Sequence, residues 1–131
     1  MRQKVVWLWA VTFAATCQFV ILAQDPKYAE LPNFHEVSKE VYRGGQPKQG
    51  GLQKLASLGI KTIINLRDDD EHEQAEEAEA RAAGLRYFNL PMARMGRPSD
   101  KIIGDVLALL NKSENQPVFV HCKLGSDRTG T

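Results

Sequence analysis

The chain has 131 residues, 43% of them hydrophobic and 25% charged, with a formal net charge of +1. This balance excludes a disordered chain and suits one small globular domain built on a single core. Without Arg2 and Lys4 the count is fifteen basic against sixteen acidic residues, so no global field draws the chain to nucleic acid or anionic lipid.

Arg2 and Lys4 precede an apolar run from Val5 to Leu22, and Ala23 closes it before Gln24-Asp25-Pro26. A basic start, an apolar stretch and a small residue at its end predict a secretory signal over residues 1–23, cleaved after Ala23. The run also approaches the length of a membrane span, so a retained anchor competes, while Thr12, Thr16 and Gln18 dilute it in favour of cleavage. Lipid modification of Cys17 is a third route, for which Thr16 is a poor preceding residue. All three predict export, to a periplasm or the exterior, with membrane contact only if the segment is retained. Cys17 and Cys122 are the only cysteines, so the mature domain carries one thiol and no intrachain disulfide.

Residues 24–33, polar and marked by Pro26 and Pro32, read as a linker, and the folded domain starts at Phe34. Phe34–Val37 and Val41–Arg43 predict a short hairpin around Ser38-Lys39-Glu40, followed by a turn at Gly44-Gly45-Gln46-Pro47. Leu52, Leu55 and Ala56 mark one face of a short helix that Gly59 ends. Thr62–Leu66 is a β-branched run suited to a strand buried on both faces. Asp70 is placed to cap a helix from Glu71 to Ala83, with Ala75, Ala78 and Ala82 as its inner stripe and Glu77–Arg81 as an i,i+4 pair.

Gly84 stops that helix and Leu85–Leu90 forms a strand. A loop from Pro91 to Pro98 carries Arg94, Gly96 and Arg97. Ser99 caps an amphipathic helix whose Ile102, Ile103, Val106, Leu107 and Leu110 face inward. After a polar turn over residues 111–116, Pro117 starts the last strand. Strands that alternate with helices predict an α/β fold with a mostly parallel sheet flanked by helices.

The chain's last residues carry its chemistry. Val118-Phe119-Val120 leads as a buried strand into His121-Cys122-Lys123-Leu124-Gly125-Ser126-Asp127-Arg128-Thr129-Gly130-Thr131. A strand, a glycine-containing loop and a helix start at Thr129 make an anion cradle. Successive backbone N–H groups, a helix N-terminus and a guanidinium all favour a thiolate over a thiol. The same groups bind a phosphoryl dianion beside the sulfur, and an arginine grips two of its oxygens at once. Gly125 permits the backbone twist that turns the amides inward, and Thr129 can hydrogen-bond the sulfur.

His121, Cys122, Gly125, Arg128 and Thr129 together resemble the signature His-Cys-x-x-Gly-x-x-Arg-Ser/Thr of the cysteine-dependent protein tyrosine phosphatase superfamily. Tyr42-Arg43-Gly44-Gly45-Gln46-Pro47 and Ile60-Lys61-Thr62-Ile63-Ile64-Asn65-Leu66-Arg67 are similar to the opening of compact dual-specificity-like domains of the bacterial or atypical type. The resemblance runs from about Phe34 to the end and is specific in its last part. It implies a phosphatase-like domain over residues 34–131, incomplete at its C-terminus because the helices after Thr129 are missing. Hydrolysis of phosphomonoesters would proceed through a cysteinyl-phosphate on Cys122, with no metal and no cofactor.

In that scheme residues Lys123, Leu124, Gly125, Ser126, Asp127 and Arg128 bind the phosphoryl group, while His121 and Thr129 support the loop and the sulfur. The general acid is Asp127, within the signature, with Asp100 at the helix start as the alternative. Substrates would be phosphorylated proteins or small phosphomonoesters such as an inositol phosphate, with no nucleic acid as partner. Arg94, Arg97 and Lys123 read first as a solvated basic loop rather than a subsite for further phosphates. His35, His72 and the acidic run Asp68–Glu71 have no spacing that suggests a metal. The competing readings are a phosphate-binding module without catalysis, or an inactive fragment, because a three-residue helical stub after Arg128 cannot nucleate a turn.

Overall fold

The computed structural model describes residues 25–68, 71–93 and 96–130. Its elements in chain order are β1 (His35–Glu36), β2 (Val41–Gly44), α1 (Gly51–Ser57), β3 (Thr62–Asn65), α2 (Glu71–Ala82), β4 (Arg86–Asn89), α3 (Asp100–Asn111) and β5 (Val118–His121). Short 3₁₀ turns lie at Pro26–Tyr28, Ser113–Asn115 and Arg128–Gly130. The strands form a five-stranded sheet in the order β1-β2-β5-β3-β4. Only the β1–β2 hairpin is antiparallel; β2–β5, β5–β3 and β3–β4 are parallel. This is the α/β arrangement expected from the alternation of elements.

Period-two alternation along β3 and β5 divides the core between the two faces of the sheet. Ile63 and Phe119 point to a cluster with Leu52 and Leu55 of α1, Ala80 of α2, Leu31, Ile60, Leu85 and Tyr87. Ile64, Val118, Val120 and Cys122 point the other way, where Leu66 and Met92 complete a cluster covered by Ile102, Val106, Leu109 and Leu110 of α3. Both central strands are buried at every position, as expected of parallel strands covered on two sides. Phe119, Ile63 and Ile64 are fully enclosed.

Three expectations change. The linker expected over residues 24–33 is not seen in its described part. The described part, from Asp25, folds onto the domain: Leu31 is 0% exposed in the first cluster, and the Phe34 ring stacks on Tyr42 and packs at a tilt against Tyr28. The Pro32 carbonyl accepts from Gly45 N at 2.8 Å, and the Glu30 carbonyl accepts from Lys48 N at 2.8 Å. Polar composition suggested a tether, but backbone groups of this stretch hold the turn after β2.

The inner face of α2 is also different. Glu73, Glu76 and Ala80 are buried, whereas Ala75, Ala78 and Ala82 are exposed. On α3, Leu107 is 52% exposed and Leu109 packs in its place. Other local signals hold: Ser99 Oγ accepts from Ile102 N at 3.3 Å, Gly59 and Gly84 adopt positive φ at the two helix ends, and Arg81 pairs with Glu77 at 2.6 Å. The proposed Asp70 cap, Arg94 and the segment of residues 1–23 lie outside the described residues. No helix among the described residues is long and apolar enough to cross a membrane.

Candidate active site

Register places the loop after β5 at the centre of the sheet's C-terminal edge. His121 is opposite Gly44 of β2 on one side and Asn65 of β3 on the other. The chain therefore leaves β5 between the Gly44-Gly45-Gln46-Pro47 turn and Leu66-Arg67, at the edge where open parallel sheets bind ligands. Those two stretches, far apart in sequence, become the walls of the loop.

The walls hold the loop by its carbonyls. Gln46 N donates to the Lys123 carbonyl at 3.1 Å, and Asn33 Nδ2 donates to the Leu124 carbonyl at 2.7 Å. Asn33 itself has φ +50, a conformation that asparagine tolerates better than most residues. With carbonyls fixed outward, the amides of the loop are free to turn inward as an anion nest. Gly125, at φ +81, sits against the Gly44–Gly45 peptide, and its N–H donates to Cys122 Sγ at 3.2 Å.

Cys122 is 1% exposed. Burial alone pushes its thiol up, but the Thr129 hydroxyl and the amides of Thr129, Gly125 and Leu124 outweigh that and hold it below the ordinary thiol value. The Thr129 hydroxyl is buried, and of the groups that lower the thiol it acts most strongly. Among the described residues Cys122 is the one free thiol.

A cavity of about 70 Å³ opens over the sulfur, lined by Cys122, Lys123, Leu124, Asp127 and Arg128. A much larger one, about 640 Å³, runs between α3 and the β1–β2 side of the sheet, and Arg128 and Thr129 border it. The small cavity is the candidate site because Cys122 lies among its lining residues. Arg128 Nη1 donates to the Leu66 carbonyl at 3.2 Å and to the Met92 carbonyl at 3.4 Å, which ties the far end of the loop to the chain after β3 and β4.

The structure thus brings Cys122, Lys123, Leu124, Asp127 and Arg128 together around one cavity, with Gly125 and Thr129 serving the sulfur. Ser126 is exposed and lines neither cavity. Asp100 also lines neither, and its exposed carboxylate pairs with Arg97 Nη2 at 2.9 Å. The expected helix start at Thr129 is a 3₁₀ turn from Arg128 to Gly130. No cluster of His, Cys, Asp or Glu among the described residues has the arrangement of a metal site.

His121 sits on the opposite face of β5 from Cys122 and is 0% exposed. Its Nε2 is 2.9 Å from Glu76 Oε1 of α2, and its Nδ1 is 3.3 Å from the Cys122 carbonyl oxygen. Glu76 Oε2 accepts from Asn65 Nδ2 and from Tyr87 OH, both at 3.1 Å, and Asn65 Nδ2 also donates to Tyr87 OH at 2.8 Å. Burial raises the Glu76 carboxyl, but His121, Gln46 and Tyr87 more than offset it, so its value is lowered. The Tyr87 hydroxyl is pushed up, first by burial and then by the Glu76 charge. Sequence reasoning gave no role to Glu76, Asn65 or Tyr87. The only signal was two glutamates three apart, Glu73 and Glu76, on a helix whose alanines offered a competing inner face.

Comparison with known proteins agrees with this geometry. Residues 23–131 match the family described as "DSP-PTPase phosphatase fused to NAD+ Kinase". The chain is 34% identical over 102 residues to an inositol diphosphatase, DSP4, of Arabidopsis thaliana, covering 75% of this chain and 51% of that protein. It is 30% identical over 99 residues to the dual specificity protein phosphatase TpbA of Pseudomonas aeruginosa, covering 75% and 43%. The core catalytic domain of the PP-IP phosphatase SIW14 from S. cerevisiae superimposes with a TM-score of 0.68 at 25% identity, over 76% of this chain and 62% of that one. The chain spans about half the length of the curated relatives it matches. From its match over residues 23–131, the chain belongs to the DSP-PTPase family of cysteine-dependent phosphatase domains.

Proposed function

We propose that this domain hydrolyses phosphomonoesters through a cysteinyl-phosphate. The observation that carries the reading is a thiol held below its ordinary value at the floor of a cavity bordered by Arg128. A loop made only to bind phosphate gains nothing from a negative sulfur, which repels the dianion; a nucleophile requires it.

Cys122 Sγ attacks phosphorus, an S–P bond forms, and the P–O bond to the leaving group breaks. Loop amides and the Arg128 guanidinium stabilise the equatorial oxygens as their charge builds. The departing oxygen takes a proton from Asp127, which borders the cavity. Water then gives a proton to the Asp127 carboxylate and attacks phosphorus, the S–P bond breaks, inorganic phosphate leaves, and the sulfur returns as thiolate to the Thr129, Gly125 and Leu124 donors. The substrate is a phosphoprotein or an inositol phosphate, the kinds named for relatives: TpbA has been crystallised with pTyr, and DSP4 is an inositol diphosphatase. The basic, apolar N-terminus supports export, which the N-terminal residue of the mature protein tests.

Turnover of p-nitrophenyl phosphate, its inhibition by vanadate, and its loss in Cys122→Ser form the test. Phosphate binding that survives in a protein with no turnover would replace the enzyme by a binding module.

A further inference from the structure

Two peptide units of the loop are held from outside and used from inside. The Lys123 carbonyl accepts from Gln46 N at 3.1 Å, and the N–H of the same peptide, that of Leu124, acts on the Cys122 sulfur. The Leu124 carbonyl accepts from Asn33 Nδ2 at 2.7 Å, and the nitrogen of that peptide, Gly125 N, donates to the sulfur at 3.2 Å. A trans peptide is planar, with its C=O and N–H pointing in opposite directions. Whatever holds the oxygen therefore aims the hydrogen. A hydrogen bond accepted by the oxygen also polarises the peptide and strengthens its N–H as a donor.

The clamp from Gln46 is backbone, whereas the clamp from Asn33 is a side chain. We infer that Asn33 is a positioning residue of the reaction: its amide, by holding the Leu124 carbonyl outward, aims the Gly125 N–H at the Cys122 sulfur. The inference rests on Cys122 as the nucleophile and adds to that reading a residue from the segment before β1.

Asn33 is exposed, so core packing does not select its side chain. Its neighbours, in contrast, are fixed. Leu31 is fully enclosed, and the Phe34 ring stacks on Phe119 of β5 with centroids 6.0 Å apart. The Glu30 and Pro32 carbonyls accept from Lys48 N and Gly45 N, each at 2.8 Å. A short pinned stretch thus carries one amide to a defined point, which is what support of a nucleophile requires. Gly45 leaves the room: a Cβ there would lie 3.0 Å from the Leu124 oxygen. A purely local role is the rival explanation, because Asn33 has φ +50, a left-handed backbone that asparagine and glycine tolerate. The two explanations part at glycine, which suits that backbone better and has no amide.

N33G and N33D form the test. Glycine keeps the turn and removes the donor; aspartate keeps the size and sets a carboxylate oxygen against the Leu124 carbonyl. In both, the Gly125 amide proton, followed by NMR in the protein without substrate, should exchange faster than in the wild type. The thiolate absorbance of Cys122 should titrate upward by about half a unit, and kcat should fall roughly 3- to 10-fold with KM little changed. An N33G protein with wild-type kcat, thiolate titration and Gly125 exchange overturns the assignment and leaves Asn33 as a turn residue. A wild type without turnover, in which N33G still moves the Gly125 amide and the thiolate, would sink the phosphatase reading and leave the clamp standing.

Discussion

Gly125 and Gly44 touch backbone to backbone. A Cβ added to Gly125 would lie 2.4 Å from the Gly44 carbonyl carbon and 2.6 Å from its oxygen. Gly44 is in turn confined by Phe119 Cζ, 2.9 Å from where its own Cβ would be. The glycine of the loop after β5 and the glycines at the end of β2 are therefore one packing unit, although 81 positions of sequence separate Gly44 from Gly125. Close approach, not only positive φ, demands glycine on both sides.

Gly125→Ala meets both penalties at once: a left-handed backbone, about 1–2 kcal/mol, and overpacking against peptide groups that cannot rotate away, about 1–3 kcal/mol. The expected outcome is a loss of about 2–5 kcal/mol in urea unfolding and loss of the Gly125 amide from the Cys122 sulfur. Gly59→Ala provides the comparison. It also has positive φ, but nothing lies within 4 Å of its added Cβ, so it should cost only about 1–2 kcal/mol. Equal effects at the two sites would show that crowding at the loop is relieved.

Leu31→Ala tests whether the segment before β1 belongs to the domain. Leu31 is fully enclosed among core residues of α1 and the sheet, so truncation leaves a cavity and should cost about 2–5 kcal/mol. A tether would register almost nothing. Thermal or urea unfolding decides, and turnover should fall too, because the same segment carries Asn33 to the Leu124 carbonyl.

That segment shows where sequence reading stopped. The β3 and β5 strands and the signature are local patterns: contiguous β-branched runs and five spaced residues, readable without knowing what they touch. The partners of the loop are not local. Asn33 reaches Leu124 across 91 residues, and no composition rule links them. On α2 the error had a different cause. Ala75, Ala78 and Ala82 made an apolar stripe, yet Glu76 is the residue turned inward, because buried polar partners on β3, β4 and β5 reward a carboxylate there. Apolar periodicity finds a helix's inner face only when that face is apolar. Cys122 and Arg128, which line one cavity, were legible as a pair in the sequence, and the supports of their loop were not.

The lowered Cys122 value fixes the sign of two pH effects. Between the folded and unfolded values of the thiol, the folded protein holds the thiolate and the unfolded chain holds the proton. Unfolding then takes up a proton, so stability from this group rises with pH across that window. The contribution is complete above the unfolded value, about 8.5, and is lost as pH falls through the folded one. Ultraviolet absorption of the thiolate, taken as the difference from Cys122→Ser, should titrate below an ordinary cysteine. In Thr129→Val, which removes the hydroxyl at nearly constant size, the titration should move upward. An ordinary value in the wild type would remove the basis for the nucleophile.

The two candidate acids separate by leaving group. Asp127 borders the cavity over Cys122, whereas Asp100 is exposed at the start of α3 and engaged by Arg97. A proton donor matters in proportion to how poorly the departing oxygen bears charge. Asp127→Asn should therefore lower kcat about 10²- to 10³-fold for an alkyl phosphate and change little for p-nitrophenyl phosphate, whose leaving group is a stable anion. Asp100→Asn should leave both substrates unaffected. The contrast between substrates, more than the size of either loss, identifies the acid: a uniform loss across leaving groups in Asp127→Asn would mean that this carboxylate shapes the loop and does not protonate the leaving oxygen.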